Sequence, residues 1–387
     1  MNICLIAPQT PFLENVSFPP LNLLYLSSYL KLHGYDDIEL VDLNVTDDVP
    51  SADVYMITAT TPQFPYATEL LRKLKGITII GGAHATADTN SCNLFDIVIQ
   101  GEGEKAILQC LKDIEAGGYE PVYAGTQIAN LDELPIPARE NIEPAHYSYY
   151  IDDALSTIAM TSRGCPYICR FCQKMYPNVR FHSTSYVLKE LLSIRNCGYG
   201  GVYFVDDMFG LRYNLLELAP QLKKLVWKCQ IRPDENINNI KIMGDMKCRG
   251  VNIGIESGSQ KILDTVNKKA NIKRVPEVVK ECKAQGMEVR AYIIVGLPSE
   301  THETVEETIE FLRMIEPDSV GVGTFVPYPG TYIHSHIKDF DIKIEEPDYR
   351  KWYFRAERKK YNCVVSTSEL TADEILRYRD KIDEEFN

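Results

Sequence analysis

Residues 161–174, TSRGCPYICRFCQK, place three cysteines, Cys165, Cys169 and Cys172, within eight residues. Thiolates this close together are ligands for soft metals or a structural cluster of thiols. A structural zinc site takes four ligands, commonly as two separated pairs, and no second Cys or His pair follows at finger or ribbon spacing. A cubane iron–sulfur cluster also takes four thiolates, so a loop that supplies three leaves one iron open to a small chelating ligand. The spacing favours the cluster and leaves zinc and buried structural thiols as alternatives.

Other candidates follow in order along the chain. VYFVDDMFG carries Asp206 and Asp207, which in a loop can equally be a solvated turn. KCQIRPD carries Arg232, suited to a bidentate fork on a carboxylate or to a surface position. GVNIGIESGS contains Glu256 and Ser257, VRAYIIVGLPSET runs through Val295, Gly296 and Pro298, and TFVPYPGT closes the series at 331. Arg290 lies on the second of these stretches and can face either a barrel or a helix. Nearer the start, Thr58, Thr60 and Thr61, then Gly81, Gly82 and His84, then Gly101, Glu102, Gly103 and Glu104 each follow a short apolar run.

The elements that must position these residues alternate in type. In the first ~120 residues, NICLIAP, IELVDL, DVYMITATT, ITIIGGAHA and DIVIQGEGE read as strands, separated by helical patterns such as LNLLYLSSYLKLHGY. Apolar strands alternating with helices predict an α/β, doubly wound, Rossmann-like parallel sheet whose ligands bind at the carboxyl ends of the strands. Residues 121–152 are Pro-rich and aperiodic, as a linker would be. A second alternating series puts strands near 155–161, 201–205, 228–232, 251–255, 289–295 and 319–325, which predicts a partial (β/α)6 barrel over 153–331. Residues 332–387 form a short extension with a terminal helix in ADEILRYRDKIDEE.

With 387 residues, the chain is expected to hold two domains. Its net charge of −13, from 54 acidic and 41 basic residues, argues against a nucleic-acid-binding role. Eleven cysteines, mostly single and within apolar runs, do not form a disulfide framework, and the expected setting is a reducing cytoplasm. No apolar run reaches the ~20 residues of a membrane span, and the start does not read as a secretory signal.

The C-x3-C-x2-C loop with Phe171 before its last cysteine, at the end of a first barrel strand, resembles the radical S-adenosylmethionine (SAM) superfamily. The resemblance implies a 4Fe-4S cluster on Cys165, Cys169 and Cys172, its open iron chelated by the amino and carboxylate groups of SAM. One electron then splits the sulfonium into methionine and a 5′-deoxyadenosyl radical that takes hydrogen from the substrate. It further implies that SAM is met by Phe171, by Asp206 and Asp207 near its amino group, by Arg232 at its carboxylate, by Glu256 and Ser257 at the ribose, and by Val295, Gly296 and Pro298 at the adenine. An electron donor such as flavodoxin or ferredoxin is the implied partner. The substrate, a small molecule or peptide, would face Tyr167, Tyr176, Phe209, Tyr328 and Trp352, for which ordinary packing is the competing role.

FPPLNLLYLSSYL, ITATTPQF, GGAHAT and FDIVIQGEGE, in that order, resemble the cobalamin-binding module that precedes the barrel in one branch of that superfamily. The resemblance implies cobalamin held by Thr58, Thr60 and Thr61, by the close backbone approach of Gly81 and Gly82, by His84 as a rim or tail contact, and by the Gly101–Glu104 turn. The Asp-x-His-x-x-Gly motif that supplies a lower axial histidine elsewhere is absent, so the cobalamin base is expected to be displaced with no strong protein ligand below cobalt. The alternative is a domain that keeps the fold without the cofactor. The implied activity is methylation of an unactivated carbon or phosphorus. The alternatives are a non-methylating ring contraction or cyclisation, and a non-catalytic cobalamin or metal sensor.

Overall fold

The computed structural model describes residues 1–10, 16–173, 178–212, 214–353 and 362–387. Tyr176 lies outside them. The chain divides into two compact units, Met1–Tyr149 with Ser193–Gly198, and Tyr150–Leu192 with Tyr199–Asn387.

The first unit is a parallel sheet of β1 (Ile3–Ala7), β2 (Ile38–Asp42), β3 (Val54–Thr58), β4 (Ile77–Gly81), β5 (Ile97–Gln100) and β6 (Val122–Ala124), in the order β2-β1-β3-β4-β5-β6. Its helices are α1 (Leu21–Leu32), α2 (Phe64–Leu70), α3 (Ala83–Ala87) and α4 (Gly103–Glu115). Strand side chains alternate between two faces, and both faces are buried. Ile3, Leu5, Met56, Ile79 and Ile97 pack on one side with α1 and α4 residues such as Leu30 and Ile107. Cys4, Ile6, Ile57, Ile80 and Val98 pack on the other with Ala67 and Ala85. The strands read as continuous apolar runs for that reason.

Strand β6 falls in the segment expected to be a linker. Val122 and Ala124 are exposed, so this three-residue edge strand has no apolar signature and is specified by its pairing with β5. Helix α1 stops at Leu32, and Gly34 follows with φ +90°, a left-handed conformation that glycine adopts freely.

The second unit is built on β7 (Tyr150–Ile151), β8 (Ala154–Ala159), β11 (Gly201–Phe204), β12 (Val226–Ile231), β13 (Cys248–Glu256), β14 (Glu288–Val295) and β15 (Ser319–Thr324). Between β8 and β11 lies a small antiparallel ribbon of β9 (Ser162–Arg163) and β10 (Arg180–Phe181). The sheet order is β15-β14-β13-β12-β11-β8-β7, parallel from β8 to β15, with β7 added antiparallel at one edge. Six parallel strands that do not close on themselves make a curled partial barrel. The intervening helices are α5 (Thr184–Asn196), α6 (Ala219–Leu222), α7 (Ile237–Asp245), α8 (Gln260–Thr265), α9 (Val275–Ala284) and α10 (His302–Ile315); α11 (Tyr332–Ser335) and α12 (Ala372–Phe386) follow β15. Trp227 and Cys229 of β12, Val251 and Ile253 of β13 and Val289 and Ala291 of β14 are sealed under this helical layer. Residues between them, among them Gln230, Asn252 and Tyr292, remain half-buried on the opposite, lumen face. Among the described residues no helix is long and apolar enough to cross a membrane.

Candidate active site

Cys165, Cys169 and Cys172 follow β8 and β9, beyond the carboxyl end of the first parallel strand. Cys165 and Cys169 are half-buried and Cys172 is exposed, and all three are free thiols. Asp206, just past β11, anchors the start of this loop. It is completely buried and accepts from the Thr161 amide at 2.9 Å, the Thr161 hydroxyl at 2.8 Å and the Ser162 hydroxyl at 2.6 Å. Burial pushes its carboxyl up, and these three donors oppose the shift.

The far side of the loop is tied to the turn after α8. The Arg170 amide donates to the Val266 carbonyl at 2.9 Å, the Arg170 guanidinium to the Thr265 carbonyl at 2.8 Å, and the Asn267 amide to the Ile168 carbonyl at 3.0 Å. Arg170 also lies over the rings of Tyr332 and Phe340, at 5.5 and 5.6 Å. Asn267 and Lys269 have φ of +55° and +53°. This tight reversal carries Lys268 inward, where its Nζ meets Glu256 Oε1 at 2.6 Å with both side chains about nine-tenths buried. Glu256 itself has φ +71°. A side chain at Gly254 would come within 2.8 Å of that carboxylate, so glycine leaves the room the pair occupies.

Electrostatics at the loop are asymmetric. The hydrogen bond shared with Cys172 is the largest influence on Cys169, and with the charges of Lys268 and Arg232 it brings this thiol down to about 6 against the opposing effect of burial. Cys172 is correspondingly held up by that hydrogen bond, and burial raises Cys165. A thiol poised to lose its proton beside two cations suits a thiolate ligand. Among the described residues, no group of three or more His, Cys, Asp or Glu side chains converges as a mononuclear site would require. A cubane gives each thiolate a different iron, and the C-x3-C-x2-C loop supplies three such ligands.

The expected SAM contacts divide into those at the loop and those built into the fold. Phe171 lies in the loop with Lys268 Nζ 5.7 Å from its ring centre. Asp207 is exposed and accepts from the Gly164 amide. Arg232 does form a carboxylate fork, but with Asp234, through Nε–Oδ1 at 2.8 Å and Nη2–Oδ2 at 3.3 Å. It also donates to the carbonyls of Lys268 and Lys269 and stacks 3.6 Å from the ring centre of Tyr167. The remaining expected contacts are buried in the fold. Asp206 is spent on Thr161 and Ser162. Ser257 is sealed from solvent, with its hydroxyl 3.2 Å from that of Thr308. At the end of β14 the Val295 carbonyl accepts from Phe325, and the Gly296 amide donates to Glu300 at 2.5 Å. Pro298 is buried beside them.

Lys268 and Glu300 were missing from the sequence reading. Neither belongs to a cluster of like residues, and each gains its place through a turn with left-handed backbone. Glu300 is 2% exposed, and burial pushes its carboxyl up to about 8 although the Gly296 and Leu297 amides donate to it.

Among the proposed substrate-facing aromatics, Phe209 packs in the core against Phe204 and Trp227. Trp352 is 2% exposed, and its ring nitrogen donates to Glu346. Tyr328 donates to the Trp352 carbonyl. Tyr167, half-buried, stays at the cysteine loop under Arg232.

In the first unit the residues expected to hold cobalamin collect at the carboxyl ends of β3, β4 and β5. Thr60 is exposed and Thr58, Gly81, Gly82, Gly101 and Gly103 are half-buried, so these form the accessible rim. Gly82 has φ +95°, and a Cβ there would fall 2.7 Å from the Thr58 hydroxyl. Four residues lie beneath the rim instead of on it. His84 is fully buried, stacked on Phe64, with Nδ1 3.2 Å from the Thr61 hydroxyl and Nε2 3.0 Å from that of Ser91. Burial lowers it to about 4, and it forms an internal bridge beneath the rim. Thr61 is consumed in the same bridge. Glu102 is buried and accepts from the Ile128 amide at 2.7 Å, and Glu104 is buried in the first turn of α4. A rim of backbone, glycine and threonine hydroxyls can accept a large flat amide-bearing ligand, and no imidazole among the described rim residues is placed to ligate its metal.

Comparison with known proteins agrees with both halves. Residues 160–312 match the family model of the radical SAM superfamily, and residues 15–111 match that of the B12 binding domain. A protein of Pyrococcus horikoshii described as an uncharacterized methyltransferase is 29% identical over 383 residues, covering 86% of this chain and 82% of its own. The anaerobic magnesium-protoporphyrin IX monomethyl ester cyclase of Rubrivivax gelatinosus is 26% identical, covering 87% and 69%. Among solved structures, the radical SAM methyltransferase TsrM of Kitasatospora setae, with cobalamin and a 4Fe-4S cluster bound, superposes with a TM-score of 0.71 at 16% identity, covering 92% of this chain and 79% of the other. With a cysteine loop beyond the first strand of a partial barrel and a Rossmann-like unit ahead of it in sequence, this chain carries a radical S-adenosylmethionine domain together with a B12 binding domain.

Proposed function

We propose that this protein is a cobalamin-dependent radical SAM methyltransferase acting on an unactivated carbon, or a phosphorus, of a small molecule. The observation that carries the reading is the pairing of a three-thiol loop at the barrel's strand ends with a B12-binding unit in one chain. The methyltransferase assignment draws on the P. horikoshii relative and on TsrM. When bound, the cluster supplies the electron that splits SAM, and cobalamin supplies a carrier for its methyl group.

The chain's own residues hold and shield these groups. Cys165, Cys169 and Cys172 serve as ligands, with Asp206 and Arg170 fixing the two ends of their loop. Lys268 and Arg232 place positive charge beside the thiolates and so favour their deprotonated form. Of the SAM contacts, Phe171, Asp207 and the Glu256–Lys268 pair remain nearest the loop, whereas Arg232 acts through Asp234 and Tyr167 to brace it. Thr58, Thr60, Gly81, Gly82, Gly101 and Gly103 form the cobalamin rim. Residues 1–120 and 153–331 are taken as the two functional domains, residues 121–152 as the connection and 332–387 as the extension. A reducing cytoplasm and a small redox protein as electron donor suit a thiolate-held iron–sulfur site.

A second reading, a non-methylating ring closure, is favoured by the similarity to the cyclase. The two separate with SAM labelled in its methyl group. Given a candidate substrate, the methyltransferase reading expects label in product, whereas a cyclised product without label would replace it with the second reading.

A further inference from the structure

The lumen face of the second unit carries charged residues in register. Gln230, Asn252, Arg290 and Ser319 lie side by side across β12 to β15, with Lys228 and Glu288 one layer nearer the amino ends of the strands. Arg290 lies between Val289 and Ala291, which are fully buried under the helices, so its own side chain points to the lumen. There Arg290 and the neighbouring Tyr292 lie across Gly321. A Cβ at that glycine would meet the Tyr292 ring at 2.5 Å and Arg290 Nε at 3.3 Å.

Three other cations near this lumen each have their own carboxylate: Lys228 with Glu288, Arg232 with Asp234, and Lys268 with Glu256. Arg290 has none. Its Nε is sealed from water without a hydrogen-bond partner, and among the described residues no carboxylate pairs with it. A guanidinium left unpaired in a partly desolvated site costs stability, and a fold tolerates such a cost where a ligand completes the site. Beside it, the Tyr292 hydroxyl accepts from Asn252 Nδ2 at 3.2 Å, which leaves the tyrosine proton available to donate. The same Asn252 group donates to the Tyr203 hydroxyl at 2.9 Å and fixes the arrangement.

The geometry points to an anion-binding subsite in the barrel lumen, in which Arg290 and the Tyr292 hydroxyl receive the carboxylate or phosphate of a small acidic substrate. Arg290 lies five residues before the end of β14, about 16 Å along the strand. The ligand that uses this subsite is therefore an elongated acid, with its anionic end deep in the lumen and its other end toward the strand termini. This assignment names the substrate class and rests on reading the barrel as the substrate-bearing half of the enzyme. Its test needs neither cluster nor SAM, so its failure is distinct from a failure to cleave SAM.

The full chain with 15N-labelled arginine side chains is titrated with acetate, inorganic phosphate or neutral acetamide at fixed ionic strength. The Arg290 Nε–H signal is assigned by its loss in both Arg290→Gln and Arg290→Lys. The expected result is a saturable shift of this signal with acetate, phosphate or both, half-complete on the order of 10 mM, and none with acetamide; the two anions distinguish a carboxylic from a phosphorylated substrate. The thermal midpoint of the Arg290→Gln chain is expected to equal or exceed that of the native chain, because an unpaired charge is removed. A signal unmoved by both anions, an equal response to acetamide, or a midpoint lowered by more than a few degrees would overturn the assignment.

Discussion

Glu300 keeps its proton far above the usual carboxylate range because it is enclosed by the loop after β14. Its ordinary value is 4.5 and its folded value about 8. Within that window the folded chain holds a proton that the unfolded chain has released, so its contribution is full below 4.5 and is lost as pH rises through 8. Glu300→Gln keeps an oxygen for the Gly296 amide and cannot ionise. Urea unfolding of this variant is expected to show a flatter stability profile across the window than the native chain, and an unchanged slope would contradict the assignment of Glu300 as protonated. Lys268 presents the opposite case, a charge buried with its partner. Lys268→Met strands Glu256 and is expected to cost about 3–5 kcal/mol, while the double replacement Lys268→Met with Glu256→Gln recovers much of it. Urea midpoints for the four chains of that cycle measure the coupling. Additive losses would mean the pair does not act as a unit.

The elements that bear the site are held by close approaches that only small residues allow. Gly258, two residues past β13, lies against α10, and a Cβ there would stand 2.6 Å from the Thr308 Cα and 2.7 Å from the Phe311 Cβ. Its amide also donates to the Thr308 hydroxyl at 2.9 Å. Gly258→Ala must displace the helix, and a loss of about 1–3 kcal/mol is expected in thermal or urea unfolding; an unchanged midpoint would show that α10 can move freely. At this scale much was legible from sequence. The six parallel barrel strands fall within a few residues of where apolar runs placed them, because each is buried on its helix-facing side. The short edges β6 and β7 were not legible, since a strand of two or three residues is specified by pairing and not by its own composition. Residue roles followed the same divide. The cysteine trio announces itself by local spacing, whereas Lys268, Asp234 and Glu300 act across turns that the sequence does not display. Asp206, Ser257 and His84 look like ligand contacts because polar residues after strands usually are, and the structure spends them on internal hydrogen bonds.

For the molecule as a whole, two α/β units carry complementary sets of residues, one a glycine- and threonine-lined rim and the other a thiol loop over a polar lumen. The acidic balance of the chain, −13 overall, does not extend to the loop, where Lys268 and Arg232 flank the thiols. The most direct test is to reconstitute the full chain with iron and sulfide without oxygen, reduce it in the presence of SAM, and measure bound metal and 5′-deoxyadenosine together. A chain carrying alanine at residues 165, 169 and 172 serves as the blank. About four irons per chain and 5′-deoxyadenosine well above the blank are the predicted result; zinc in place of iron, or 5′-deoxyadenosine no higher than the blank, would contradict it.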